Sequence, residues 1–117
     1  MQQSDVFRPH RATHEDVDLE IDLARFRVRR RGCDVDVTPT ELGLLSTLAR
    51  RPGVVVSPTR LNGTSSGAFR PMTAASLYTM ICSLRQKLHA AGLPYAIRTV
   101  RSRGYALADD LVVHFRH

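Results

Sequence analysis

The four residues Thr38-Pro39-Thr40-Glu41 divide the chain into two kinds of sequence. The Thr38 hydroxyl can accept a hydrogen bond from the backbone three residues on. Pro39 suits the first helical position, where its missing N–H has no partner to lose, and Glu41 can reach back to the Thr38 amide. Such a capping box opens a helix. Before it, apolar residues recur at every second position. Val17, Leu19, Ile21 and Leu23 alternate with Asp18, Glu20 and Asp22, and Phe26 and Val28 alternate with Arg25, Arg27 and Arg29. Arg31-Gly32 reads as a turn, and Val35 and Val37 continue a third strand. Residues 17–37 therefore predict a small antiparallel sheet with one buried face.

After the box the apolar period lengthens. Leu42, Leu45, Leu48 and Ala49 form a helical stripe, Arg50 and Arg51 fall where the helix dipole favours cations, and Pro52-Gly53 stops the helix. Val54–Val56 reads as an extended link. Ser57-Pro58 opens a short second helix through Arg60 and Leu61, which Gly63, Ser65, Ser66 and Gly67 end or loosen, and Phe69 is expected to anchor the following loop to the core. The longest helix is expected over Thr73–Ala91. Its Leu77, Ile81, Leu84 and Leu88 recur at offsets of four, three and four, and Gly92 and Pro94 end it. Tyr95, Ile97 and Val100 then lead into the turn Arg101-Ser102-Arg103-Gly104, from which Tyr105-Ala106-Leu107 returns, giving a β-hairpin with a basic tip. Val112, Val113 and Phe115 either add a last strand or lie on the surface.

Charge narrows the partner. The chain of 117 residues carries a formal net charge of +6, which favours a polyanion. Lys87 is the only lysine, so the positive charge is almost all arginine, a bias that a GC-rich genome would also produce. Its placement is more informative than its total. Acidic residues concentrate at Asp5, Glu15, Asp16, Asp18, Glu20 and Asp22, and basic ones at Arg25–Arg31 and Arg98–Arg103. No apolar run approaches the roughly 20 residues that span a bilayer, so no membrane partner is expected. Residues 1–10 lack the apolar core of a secretory signal, and a cytoplasmic, nucleoid-associated location is expected. Cys33 and Cys82 have no cysteine or histidine at ligand spacing and are expected to be reduced and structural, with no metal or cofactor bound. Four of the five histidines, His10, His14, His114 and His117, lie near the termini. None, His89 included, pairs with a nucleophile, and no phosphate-binding glycine loop is present, so no enzyme is expected.

Thr38–Glu41, Leu84-Arg85-Gln86-Lys87-Leu88, and Thr99-Val100-Arg101 followed by Gly104-Tyr105 occur together in one order and spacing. In this the chain resembles the effector domains of OmpR/PhoB-type response regulators over residues 17–108. The resemblance implies an α+β fold, a winged helix-turn-helix with an N-terminal antiparallel sheet, three helices and a C-terminal β-hairpin wing. Residues 1–16 then form a flexible polar arm and 109–117 a C-terminal tail. The family's receiver domain would need about another hundred residues, so a chain complete at this length is expected to be a stand-alone unit, whereas a fragment of a longer protein is not.

The resemblance also implies double-stranded DNA as partner, with the long helix in the major groove and the wing Arg98–Leu107 in the minor groove. Arg101 and Arg103 suit a narrow electronegative groove, and Thr99 and Tyr105 can donate to phosphates, although an aromatic at 105 equally packs against the core. On the long helix Ser76, Thr79 and Ser83 can hydrogen-bond phosphates or base edges, and Met80 or the Thr79 methyl can touch a thymine methyl. Arg85 matches a phosphate-contacting position of the family, with an ion pair to an acidic residue of the sheet as the alternative. Lys87 is the other cation of that helix. Such a surface lacks the bidentate arginine–guanine pairs worth about 1–3 kcal/mol each, so the expectation is a transcriptional regulator of modest sequence specificity that leans on the wing. The segment Asn62–Arg70, rich in Gly, Ser and Thr, departs from the apolar, aromatic stretch with which some members touch RNA polymerase. Binding to direct repeats as a homodimer is expected from the family. Two other readings stay open: a winged-helix module docking on RNA polymerase or another regulator, and a sequence-tolerant architectural DNA binder.

Overall fold

The computed structural model describes residues 17–65 and 73–116; the arm at residues 1–16 and the anchoring expected of Phe69 lie outside them. In chain order the elements are β1 (Leu19–Asp22), β2 (Arg27–Arg30), β3 (Cys33–Val35), α1 (Pro39–Ala49), α2 (Pro58–Ser65), α3 (Ala74–Ala90), β4 (Ile97–Val100), β5 (Gly104–Leu107) and β6 (Val113–Arg116).

The period-two stretch folds as expected in kind and shorter in extent. β1 and β2 pair antiparallel with Ile21 opposite Val28, and β2 pairs with β3 with Val28 opposite Val35, so one row of aliphatics faces the core. Phe26 is not in a strand. It takes a left-handed conformation, φ 52°, in a turn where the Asp22 carboxylate accepts from the Arg25 amide and guanidinium, and its ring is 67% exposed. On the outer face, opposite charges sit across the strands: Arg29 lies beside Asp34, and Arg116 beside Glu20.

Val113 and Phe115 belong to a strand. Residues 109–117, separated in the sequence as a tail, contribute β6, which pairs in parallel with β1, Leu19 opposite Val113 and Ile21 opposite Phe115. The sheet therefore has the order β3-β2-β1-β6 and is mixed rather than wholly antiparallel. Asp18 fixes the alignment: the Val112 carbonyl accepts from the Asp18 and Leu19 amides, and the Asp18 carboxylate accepts from the Val112 amide.

Helix α1 lies at the centre of the core, packed against α2, α3 and β5. Leu42, Leu44, Leu45, Leu48 and Ala49 are all buried, so it loses solvent on more faces than the stripe of four predicts. Helix α3 buries the expected side, Leu77, Ile81, Leu84 and Leu88. It ends in a Schellman arrangement, with Gly92 left-handed and the Leu93 amide donating to the Leu88 carbonyl at 2.8 Å. Arg30 ties that end to the sheet, donating to the Ala91 carbonyl and to Asp18.

Strands β4 and β5 form the hairpin, with Thr99 opposite Tyr105 and Val100 opposite Gly104. The α1–α2 link lies against it as a short third strand. The Val56 amide donates to the Tyr105 carbonyl at 2.8 Å, and the Tyr105 amide returns to the Val56 carbonyl at 3.1 Å.

Candidate nucleic-acid interface

The cap of α3 is local. Thr73 accepts from the Ser76 amide at 3.0 Å, and its hydroxyl donates to the Ser76 hydroxyl at 3.1 Å. At 100° per residue, the helix then has three faces besides the buried one. Ala75, Thr79, Cys82 and Gln86 point outward. Ser76, Ser83 and Lys87 fall on one flank, Tyr78 and Arg85 on the other. The contacts agree with this projection.

The first flank meets α1. Glu41, the capping-box residue, is 2% exposed. One carboxylate oxygen accepts from the Thr38 amide at 2.9 Å and from the Lys87 ammonium at 2.6 Å; the other accepts from the Ser83 hydroxyl at 2.6 Å. Burial pushes the carboxyl up, but the hydrogen bonds from Lys87, Ser83 and Thr38 outweigh it and hold the group below its ordinary value. The local helix cap is thus also the tie between α1 and α3. Ser83 and Lys87, expected to face DNA, are turned inward to this carboxylate. Met80 packs against the core.

The second flank meets the wing. The Arg85 Nε donates to the Ile97 carbonyl at 3.0 Å and an Nη to the Thr99 hydroxyl at 2.6 Å, with the guanidinium 5.9 Å from the Tyr105 ring centre. The acidic partner considered for Arg85 is not what it finds; it grips the wing strand instead, and planar two-point donation is what arginine does best. Tyr105 is 9% exposed, so its ring is part of the core, as the packing alternative has it.

At the wing tip the Arg103 amide closes the turn on the Val100 carbonyl at 2.9 Å, with Ser102 left-handed at φ 63°. Arg101 and Arg103 are exposed, and neither makes a side-chain hydrogen bond or ion pair among the described residues. Thr79 is exposed and donates its hydroxyl to the Ala75 carbonyl at 3.0 Å.

Tyr78 escaped the sequence reading. It is 56% exposed on α3, and a hydrogen bond with Cys82 one turn on keeps its phenol above the ordinary value. The signal that could have found it is its spacing of four from Cys82 and seven from Arg85. Cys82 is half-buried and Cys33 exposed, both as free thiols. Among the described residues no helix is long and apolar enough to cross a membrane, and no cluster of His, Cys, Asp and Glu could hold a metal ion.

The arrangement has known counterparts. A family model described as "Transcriptional regulatory protein, C terminal" matches residues 32–107. The phosphate regulon transcriptional regulatory protein PhoB of Rhizobium meliloti is 36% identical over 90 residues, which are 77% of this chain and 40% of that protein. The chain therefore spans well under half the length of that relative. Among solved structures, the Klebsiella pneumoniae RstA DNA-binding domain, in complex with the RstA box, is 30% identical with a TM-score of 0.66, over 79% of this chain and 92% of that one. The DNA-binding domain of CpxR from E. coli is also 30% identical, with a TM-score of 0.69, over 80% of this chain and 94% of that one. With more than half of its residues matched by the family model, and the sheet, helix and wing order expected of such domains in place, the chain belongs to the family of C-terminal domains of transcriptional regulatory proteins, the OmpR/PhoB-type winged helices.

Proposed function

We propose that this chain binds double-stranded DNA as the effector domain of a transcriptional regulator acting at the nucleoid. Helix α3 lies in the major groove and the wing reaches the adjacent minor groove. One observation carries the reading: Arg101 and Arg103 stand exposed, with no side-chain partner among the described residues, at the tip of a hairpin that Arg85 fastens to α3. An arginine free of internal partners is available to a narrow, electronegative groove, and the clamp sets the angle between groove-reading helix and wing. The RstA domain, of the same family, was solved on its DNA box.

Within this reading the sequence-derived residues divide by role. Arg101 and Arg103 contact DNA from the wing, and Ser76 and Thr79 from α3. Thr99, Arg85 and Tyr105 hold the wing to the helix, with the remaining donors of Arg85 and Thr99 open to a phosphate. Ser83 and Lys87 position α3 through Glu41. Met80 supports it from below.

Selection of bound genomic fragments, followed by salt titration on the best of them, tests the proposal. The expected result is preference over random competitor, with Arg101→Ala weakening binding about tenfold to a hundredfold, as loss of a charge-assisted contact implies, and the double variant Arg101→Ala/Arg103→Ala lowering the log–log salt slope. If no duplex binds near physiological salt, docking on RNA polymerase or another regulator replaces this reading; tight binding without preference would make the chain an architectural DNA binder.

A further inference from the structure

The outward strip of α3 is chemically unusual for a groove-reading surface. It consists of Ala75, Thr79, Cys82 and Gln86, flanked by Tyr78. No cation belongs to it. Both cations of the helix are engaged elsewhere, Lys87 by the buried Glu41 and Arg85 by the wing strand. Guanine is read chiefly by a bidentate arginine or lysine, so the strip has no means of recognising it that way. What it offers are methyl and aromatic surfaces. The Thr79 hydroxyl spends its one proton on the Ala75 carbonyl, which leaves its γ-methyl and an acceptor oxygen, but no donor, at the surface. Tyr78, one residue before Thr79, keeps its ring exposed beside the strip. The apolar group that duplex DNA presents in the major groove is the 5-methyl of thymine.

We propose that α3 selects its site by thymine 5-methyl groups, packed against Ala75, Tyr78 and Thr79, and not by hydrogen bonds to guanine. Gln86, the one amide of the strip, complements this choice, because a glutamine pairs with the adenine edge of the same base pairs. The inference rests on the reading that α3 enters the major groove.

Its test uses the full chain and a duplex recovered by genomic selection, made once with thymine and once with deoxyuridine throughout. Uracil lacks the methyl but keeps the pairing edge and the minor-groove acceptors. The uracil duplex is expected to bind about fourfold more weakly for each methyl contacted. Thr79→Ser, which keeps the hydroxyl and removes the methyl, is expected to bind thymine DNA more weakly and to narrow the gap between the two duplexes by a similar factor. Equal binding of both duplexes by the unaltered chain would overturn the inference and leave DNA binding intact. A gap that Thr79→Ser, Tyr78→Ala and Ala75→Gly all leave unchanged would also overturn it, by showing that the methyl acts through the stiffness of the DNA. Binding to no duplex at all would remove the groove reading and this inference together.

Discussion

Gly104 is where the wing and the α1–α2 link cross, and it admits no side chain. A Cβ built there would lie within the van der Waals envelope of the Val56 carbonyl oxygen, 2.8 Å from the carbonyl carbon and 3.0 Å from the Ser57 Cα, all of them backbone atoms that no rotamer change can move. The position also has φ +145°. For Gly104→Ala the backbone conformation alone costs about 1–3 kcal/mol. Relieving the clash means parting the link from β5, which breaks the two hydrogen bonds between Val56 and Tyr105 at about 0.5–1.5 kcal/mol each. The sum, roughly 2–6 kcal/mol, is a large part of the 5–15 kcal/mol typical of such a domain. Gly32→Ala is the internal control, since Gly32 has φ +82° but nothing within 4 Å of its would-be Cβ. Thermal unfolding followed by circular dichroism should show Gly104→Ala melting at least about 8 °C lower than the unaltered chain. The decrease for Gly32→Ala should be clearly smaller. Equal decreases for the two variants would refute the crossing as the cause and leave only backbone conformation.

Other perturbations test the two ties on α3 and the last strand. The depressed Glu41 carboxyl contributes stability that is fully present above its unfolded value near 4.5 and is lost as pH falls through its lower folded value. Urea midpoints for Glu41→Gln should therefore fall below the unaltered chain's at neutral pH and converge toward them in acid; parallel curves would dissociate the tie from this carboxylate. Arg85→Lys keeps the charge but cannot reproduce the fork to Ile97 and Thr99. It should cost about 1–3 kcal/mol of stability and weaken binding to a selected duplex, whereas unchanged values for both would mean the clamp is idle. Ending the chain before Val112 removes β6, which leaves the β1 edge unpaired and takes Val113 and Phe115 away from the core they pack against. The unfolding midpoint in urea should drop, and a chain of undiminished stability would show β6 to be dispensable.

What could be read in the sequence is what is local. The α1 start depends on four consecutive residues, and the Thr38 and Glu41 bonds form as expected. Helix α3 ends within a residue of the expected bounds, because Thr73 and Gly92 are themselves the cap and the stop. β6 is not decided by the sequence, because its partner is β1, more than ninety residues earlier, and a four-residue alternating stretch carries no mark of which edge it will join. Phe26 continues an alternating pattern that predicts strand; the Asp22 carboxylate, accepting from the Arg25 amide, turns the chain before it. Ser83 and Lys87 read in the sequence as DNA contacts, because hydroxyl and ammonium groups on a helix that resembles a recognition helix look like ligand contacts. Which flank they occupy depends on how α3 is rotated against α1, and no local pattern states that rotation.

The two ties on α3 have a consequence for how such a domain can vary. Glu41 holds one flank through Ser83 and Lys87, and Arg85 holds the other against the wing. The rotation of the helix about its axis, and hence which residues face outward, is set by polar contacts on both sides as well as by the apolar stripe beneath. Ala75, Tyr78, Thr79 and Gln86 are not part of that scaffold. Under the proposed groove reading, substitutions there alter what is read without loosening how the helix sits, because sites that share no partner contribute nearly independently. The same division explains the charge pattern. The cations of α3 fix its position, Lys87 through Glu41 and Arg85 through the wing strand, and the exposed arginines of the wing, Arg101 and Arg103, stand at the tip of the hairpin that Arg85 holds against the helix.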